Sequence, residues 1–169
     1  PSRDGLIHIM ASRIISEIKQ KKPLSGPELE VYLNIVRTAD FLTYCVAELL
    51  KPHGLSPATY NVLRILRGAG EEGLTCGEIG ERMLTRVPDV TRLLDRLEER
   101  NLLYRSRESQ DRRVVRVRIT PDGEELLASL DRPITQFHRR QLGHLGRERL
   151  ALLIDLLEEA RGGSEADEE

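Results

Sequence analysis

The stretch TRVPDVTRLLDRLEERNLLYRSRESQDRRVVRVRIT, residues 85–120, decides how this chain is read. Val90, Leu93, Leu94 and Leu97 recur at the spacing of one apolar helical stripe, which turns Pro88, Thr91, Arg92, Asp95 and Glu99 to the opposite side. Thr85 is the expected N-cap, Pro88 fits a first turn, and Asn101 can take the left-handed conformation that ends a helix of about four turns. Residues 102–107 and 114–119 then read as two paired strands, with Val115, Val117 and Ile119 on one face and Val114, Arg116 and Arg118 on the other. The tip between them is Glu108-Ser109-Gln110-Asp111-Arg112-Arg113, and residues 100–118 hold seven arginines against Glu108 and Asp111. A polar-faced helix followed at once by a basic hairpin suits duplex DNA, because positive charge is concentrated where a phosphate backbone can use it.

Outside this stretch the pattern is helical. Residues 5–20 place Ile7, Met10, Ile14 and Ile18 on one side of a short helix, and Ser25 with Glu28 is the signature of a capping box opening a longer helix to about Lys51. That helix carries more than one apolar stripe (Leu29, Val31, Leu33, Ile35, Val36, Phe41, Leu42, Val46, Leu49, Leu50), so it is expected to pack against two bodies, a second subunit being one candidate. Ser56 and Pro57 open a further helix, and Thr75 with Glu78 caps a shorter one. After the hairpin, Thr120 and Pro121 start a long helix that Pro133 is expected to interrupt or bend, Gly143 and Gly146 mark a turn, and residues 150–157 supply a last stripe. Residues 162–169 form an acidic tail expected to be disordered.

Several segments together resemble the MarR family of winged helix-turn-helix regulators. The run Arg86 to Arg105, then Asp111-Arg-Arg-Val-Val-Arg-Val-Arg-Ile-Thr-Pro-Asp-Gly123, is similar to that family's recognition helix and wing, in order and separation. Upstream, Gly54-Leu-Ser-Pro-Ala-Thr-Tyr-Asn-Val-Leu63 and Gly73-Leu-Thr-Cys-Gly-Glu-Ile-Gly-Glu-Arg-Met-Leu84 match its two preceding helices. Asn101 departs from the usual glycine mildly, since asparagine accepts the same backbone angle. The resemblance implies a mainly α fold with a small β-hairpin wing. Its winged-helix module (54–120) would be flanked by dimerisation helices (27–53 and 121–161), after an N-terminal extension (1–26) and before the acidic tail.

A two-fold dimer would set two recognition helices about 10 base pairs apart, so a pseudo-palindromic operator is expected. Pro88, Asp89, Thr91 and Arg92 are the candidates for base edges: Arg92 suits guanine, Asp89 can accept from cytosine, and a threonine methyl can touch thymine. Arg86 and Arg96 are assigned to phosphates. By resemblance Arg113, within the basic tip it shares with Arg112, would enter the minor groove while Asp111 fixes its direction. Glu98 and Glu99 are read as solvating charges.

Regulators of this family commonly release DNA on binding a small aromatic or lipophilic ligand. Tyr44, His53, Tyr60 and Arg64 are the candidate contacts, a ring plus a cation suiting a phenolic carboxylate. Redox control through Cys76, at a first helical turn, is one alternative; a winged-helix module that docks protein and has lost DNA is the other. Cys45 reads as inert packing. His8, His53, His138 and His144 are scattered without ligand spacing, no cofactor motif is found, and no nucleophile motif or catalytic cluster suggests an enzyme. Fractions of 39% apolar and 32% charged residues fit a soluble helical protein, and the net charge of -2 argues against indiscriminate polyanion binding. With no membrane-length apolar segment, no leader and two separated cysteines, the expected setting is the cytoplasm.

Overall fold

A computed structural model describes residues 13–107 and 113–162. Ile7, Met10 and His8, the tip residues Asp111 and Arg112, and tail residues 163–169 lie outside the described residues. The helices are α1 (Arg13–Glu17), α2 (Pro27–Leu50), α3 (Pro57–Ala69), α4 (Cys76–Glu81), α5 (Val90–Glu98), α6 (Pro121–Leu142) and α7 (Gly146–Gly162). Between α5 and α6 lies one antiparallel hairpin, β1 (Leu103–Arg107) and β2 (Val115–Ile119). The fold is thus mainly helical with a two-stranded wing, as the pattern predicts. No helix among the described residues is long and apolar enough to cross a membrane.

The chain divides into two units, Pro1–Pro52 and His53–Glu169. In the first, α1 packs on α2 and buries Ile14, whereas Ile18 lies past the end of α1 and is exposed. The Ser25–Glu28 capping box does not form. Proline prefers the first helical position, so Pro27 takes it and leaves Gly26, which has no side chain to offer, as the cap. Leu29, Val31, Tyr32, Ile35, Val36, Phe41 and Tyr44 stand exposed along α2.

In the second unit α3 is the central element, touching α4, α5, α6 and β2. Its Val62, Leu63 and Leu66 are buried, as are Ile79 of α4, Leu93, Leu94 and Leu97 of α5, Leu103 and Val117 of the wing, and Leu127 and Leu130 of α6. Ser56 with Thr59, and Thr75 with Glu78, make the reciprocal caps of α3 and α4. Of the two effects expected of Pro133, the interruption does not occur, and α6 runs through it. A mid-helix proline costs about 3 kcal/mol. Here Leu127, Leu130, Ile134 and Phe137 lie buried on both sides of it at helical spacing, and their burial, worth roughly 1.5–3 kcal/mol each, outweighs that cost. Arg67 of α3 grips Asp131 of α6 through two bonds of 2.9 and 2.8 Å. The hydrogen bond from Arg67 first, and then its charge, hold the Asp131 carboxyl below its ordinary 3.8. At the entry to α6, a Cβ on Gly123 would stand 2.3 Å from the carbonyl oxygen of Leu102, so only glycine lets the helix start against the wing root.

Candidate nucleic-acid interface

Helix α5 begins later than the caps in the sequence suggest. Proline disfavours the helical region for the residue before it, so Pro88 keeps Val87 out of the helix and Thr85 cannot cap it. Asp89 does so instead, its Oδ1 accepting the Arg92 backbone N–H at 2.9 Å, and α5 runs nine residues from Val90 to Glu98. The expected four turns shrink accordingly. The C-terminal end is as predicted: Asn101 has φ 56, and the bonds Leu102 N–H to Leu97 O (2.9 Å) and Asn101 N–H to Glu98 O (2.8 Å) close a Schellman motif.

Three buried leucines fix which way α5 faces. Thr91, Arg92, Asp95 and Arg96 are consequently exposed together, and Arg86, Pro88 and Asp89 are exposed in the segment leading into the helix. Asp89 differs from the others, since one carboxylate oxygen is already occupied by the cap. The α4–α5 linker is held by Asn61, whose Oδ1 accepts the Leu84 backbone N–H at 2.9 Å from the middle of α3. Leu84 itself is 85% exposed. Nothing in the sequence pattern marked Asn61, because its partner is 23 residues away.

The wing corrects the simplest reading of the arginines. Arg105, Arg118, Arg116 and Arg100 all bond within the protein. Arg105 reaches back to α5, donating to Asp95 Oδ1 at 2.7 Å and to Glu98 Oε2 through a very short bond, while its backbone N–H donates to Glu98 Oε1 at 3.1 Å. Desolvation by itself would lower the Arg105 pKa, but the bonds to Asp95 and Glu98 outweigh it and raise the guanidinium above its ordinary value. Glu98 is therefore a structural partner and not a merely solvating charge. Arg118 donates to the Glu71 carbonyl at 2.7 Å and to Ser106 Oγ, Arg116 to the Gly73 carbonyl at 3.3 Å, and Arg100 to the carbonyls of Gly54 (2.6 Å) and His53 (2.9 Å).

Leu74 forms an isolated bridge with Val117, fastening β2 to the segment before α4. The Thr75 backbone N–H, then its hydroxyl, hold Glu78 below its ordinary 4.5, with the Arg116 charge adding to the effect. Arg107 and Arg113 lie exposed at the two ends of the hairpin nearest the tip.

Of the candidate ligand contacts, Tyr44 belongs to the first unit and His53, Tyr60 and Arg64 to the second. Tyr44 is 64% exposed on α2, His53 is exposed in a 3-10 turn, Tyr60 is 8% exposed within α3, and Arg64 is exposed four residues further along the same helix. Cys76 is half-buried at the first position of α4 with its Sγ 3.7 Å from the Thr91 hydroxyl, and Cys45 is half-buried on α2. Among the described residues no group of three or more histidine, cysteine or acidic side chains could hold a metal.

Residues 53–114 match a family model described as MarR family. The chain is similar to the HTH-type transcriptional repressor MdtR of Bacillus subtilis, with 39% identity over 48% of this chain and 54% of that protein, so the match spans about half the relative's length. Among solved structures, a MarR transcription factor from Planctomyces limnophilus is 41% identical over 81% of this chain and 97% of its own, with TM-score 0.62. A mutant MarR from E. coli complexed with operator DNA shares the fold at TM-score 0.73 and 22% identity, over 82% of this chain and 99% of that one.

Proposed function

This chain belongs to the MarR family of winged-helix regulators, and on that premise we propose that it is a dimeric, sequence-specific duplex-DNA-binding transcriptional regulator, acting as a repressor that a small aromatic or lipophilic ligand releases. One observation supports the reading most. The face of α5 opposite its buried leucines presents Thr91, Arg92 and Arg96, with Arg86 and Pro88 exposed at its approach, and the adjoining hairpin is bonded to that same helix through Arg105. In the proposed complex Pro88, Thr91 and Arg92 read base edges in the major groove, and Arg86 and Arg96 hold phosphates. Asp89 combines its cap with a contact to cytosine through the remaining oxygen. Arg113, with Asp111 and Arg112, serves the minor groove.

Residues 27–53 and 121–161 are the proposed dimerisation segments. The exposed apolar residues of α2 and those of α7, Leu152, Leu153, Ile154 and Leu156, support this, since monomers rarely leave such patches bare. Tyr60 and Arg64 on α3 are proposed to contact the ligand, and a phenolic carboxylate suits them.

Selection of bound fragments from random duplex DNA tests the reading. The expected result is a pseudo-palindrome with half-sites about 10 base pairs apart. Recovery of no enriched duplex at low salt, with the protein folded and dimeric, rejects it. Thermal shift against a panel of phenolic acids tests the ligand: a rise in Tm together with release of the selected duplex is expected, and no shift across the panel rejects that part.

A further inference from the structure

A helix and a wing that read neighbouring grooves are useful only if the distance between them is held. Two-stranded hairpins are marginal by themselves, so something must fix this one. On one side β2 is tied to the segment before α4, through the Leu74–Val117 bridge and the Arg118 bond to Glu71. Those contacts do not involve α5. On the other side, Arg105 of β1 faces the reading helix and meets carboxylates one turn apart on it, Asp95 at 2.7 Å and Glu98. Glu98 also accepts the Arg105 backbone N–H, so strand and side chain are held by one carboxylate. A guanidinium is suited to this task, because its planar fork can bind two carboxylates in fixed directions.

We propose that Arg105 is a positioning residue: it sets the register of the wing against α5, so that wing and helix enter the DNA as one preformed unit, without Arg105 itself reading sequence. Binding to a preformed unit avoids the cost of ordering the wing at the moment of contact. The proposal rests on the DNA-binding reading above for its consequence, and on the intramolecular geometry for its substance. If Arg105 places the wing, Arg113 contributes fully only while Arg105 is present. A purely stabilising residue would leave the two contributions additive.

The test is a double-mutant cycle in the full-length protein, with affinity for the selected duplex measured by fluorescence anisotropy. Arg113→Ala is expected to weaken binding roughly tenfold in the native background and less than about twofold in the Arg105→Ala background. Equal losses in both backgrounds overturn the proposal. Glu98→Gln, which retains size and one acceptor oxygen, provides a milder variant expected to shift the cycle in the same direction should Arg105→Ala fail to fold.

A second readout needs no DNA. Spin labels at positions 96 and 113, in a background with Cys45 and Cys76 replaced by alanine, report the helix-to-wing distance. One narrow distribution is expected, broadened by Arg105→Ala or Glu98→Gln, and an unchanged width overturns the proposal. Were the native protein to bind no duplex, the regulator reading would fail while this distance would still decide the role of Arg105.

Discussion

Helices α5 and α7 are both leucine-bearing segments of one unit, and they end in opposite conditions. The nine residues of α5 bury Leu93, Leu94 and Leu97 against neighbours that include α3, α4 and β1. The seventeen residues of α7 bury none, and Leu152, Leu153, Ile154 and Leu156 stand exposed. Apolar spacing states that a face requires cover but does not state which chain supplies it. In α5 the cover is local, so its polar face is oriented without outside help. In α7 no described residue of the same unit buries the stripe, which is the physical basis for proposing a second copy as its cover.

That contrast can be broken by experiment. Leu94→Ala is expected to cost about 2–5 kcal/mol in urea unfolding, since it leaves a cavity in a filled core. Leu153→Ala at the same protein concentration should leave the monomer's fold intact and weaken the proposed dimer by roughly tenfold in sedimentation, because in that dimer a second copy would cover the position. Equal effects of the two substitutions on unfolding would erase the distinction between the helices.

On the exposed face of α5, Arg92→Ala is expected to cost about 1–3 kcal/mol of operator affinity and relax preference at one base position, with Tm unchanged. Arg113→Ala should lower the salt dependence by about one unit of slope while leaving the dimer intact. The smallest effect belongs to Arg67 and Asp131. Because Asp131 is held below its ordinary 3.8, its contribution is present above that value and is lost as pH falls through the lower folded value. Asp131→Asn should therefore flatten the fall in Tm as pH drops below 3.8, by an amount worth under about 1 kcal/mol for so exposed a pair.

Much of the reading module was legible beforehand. The Val90–Leu97 stripe, the alternation of Val115, Val117 and Ile119, the Ser56 and Thr75 caps and the left-handed Asn101 are local signals, each decided within a few residues. The misread features depend on competition or on distance. Thr85 lost the cap to Asp89 because Pro88 stands between them, and Ser25 lost it because Pro27 set the start of α2. Pro133 was outvoted by the buried residues on either side. The arginine count could not reveal that Arg100, Arg105, Arg116 and Arg118 bond within the protein, since their partners lie 7 to 47 residues away. Asn61 escaped notice for the same reason.

The order and type of the elements came from the chain's own periodicity and end signals, because the energies involved act between residues close in sequence. Which arginines stand exposed and which are bonded to a carboxylate or carbonyl were settled only when α3, α5 and the hairpin packed together. Charge and apolarity are properties of a residue, whereas availability is a property of its neighbours, and those are assembled by the tertiary fold.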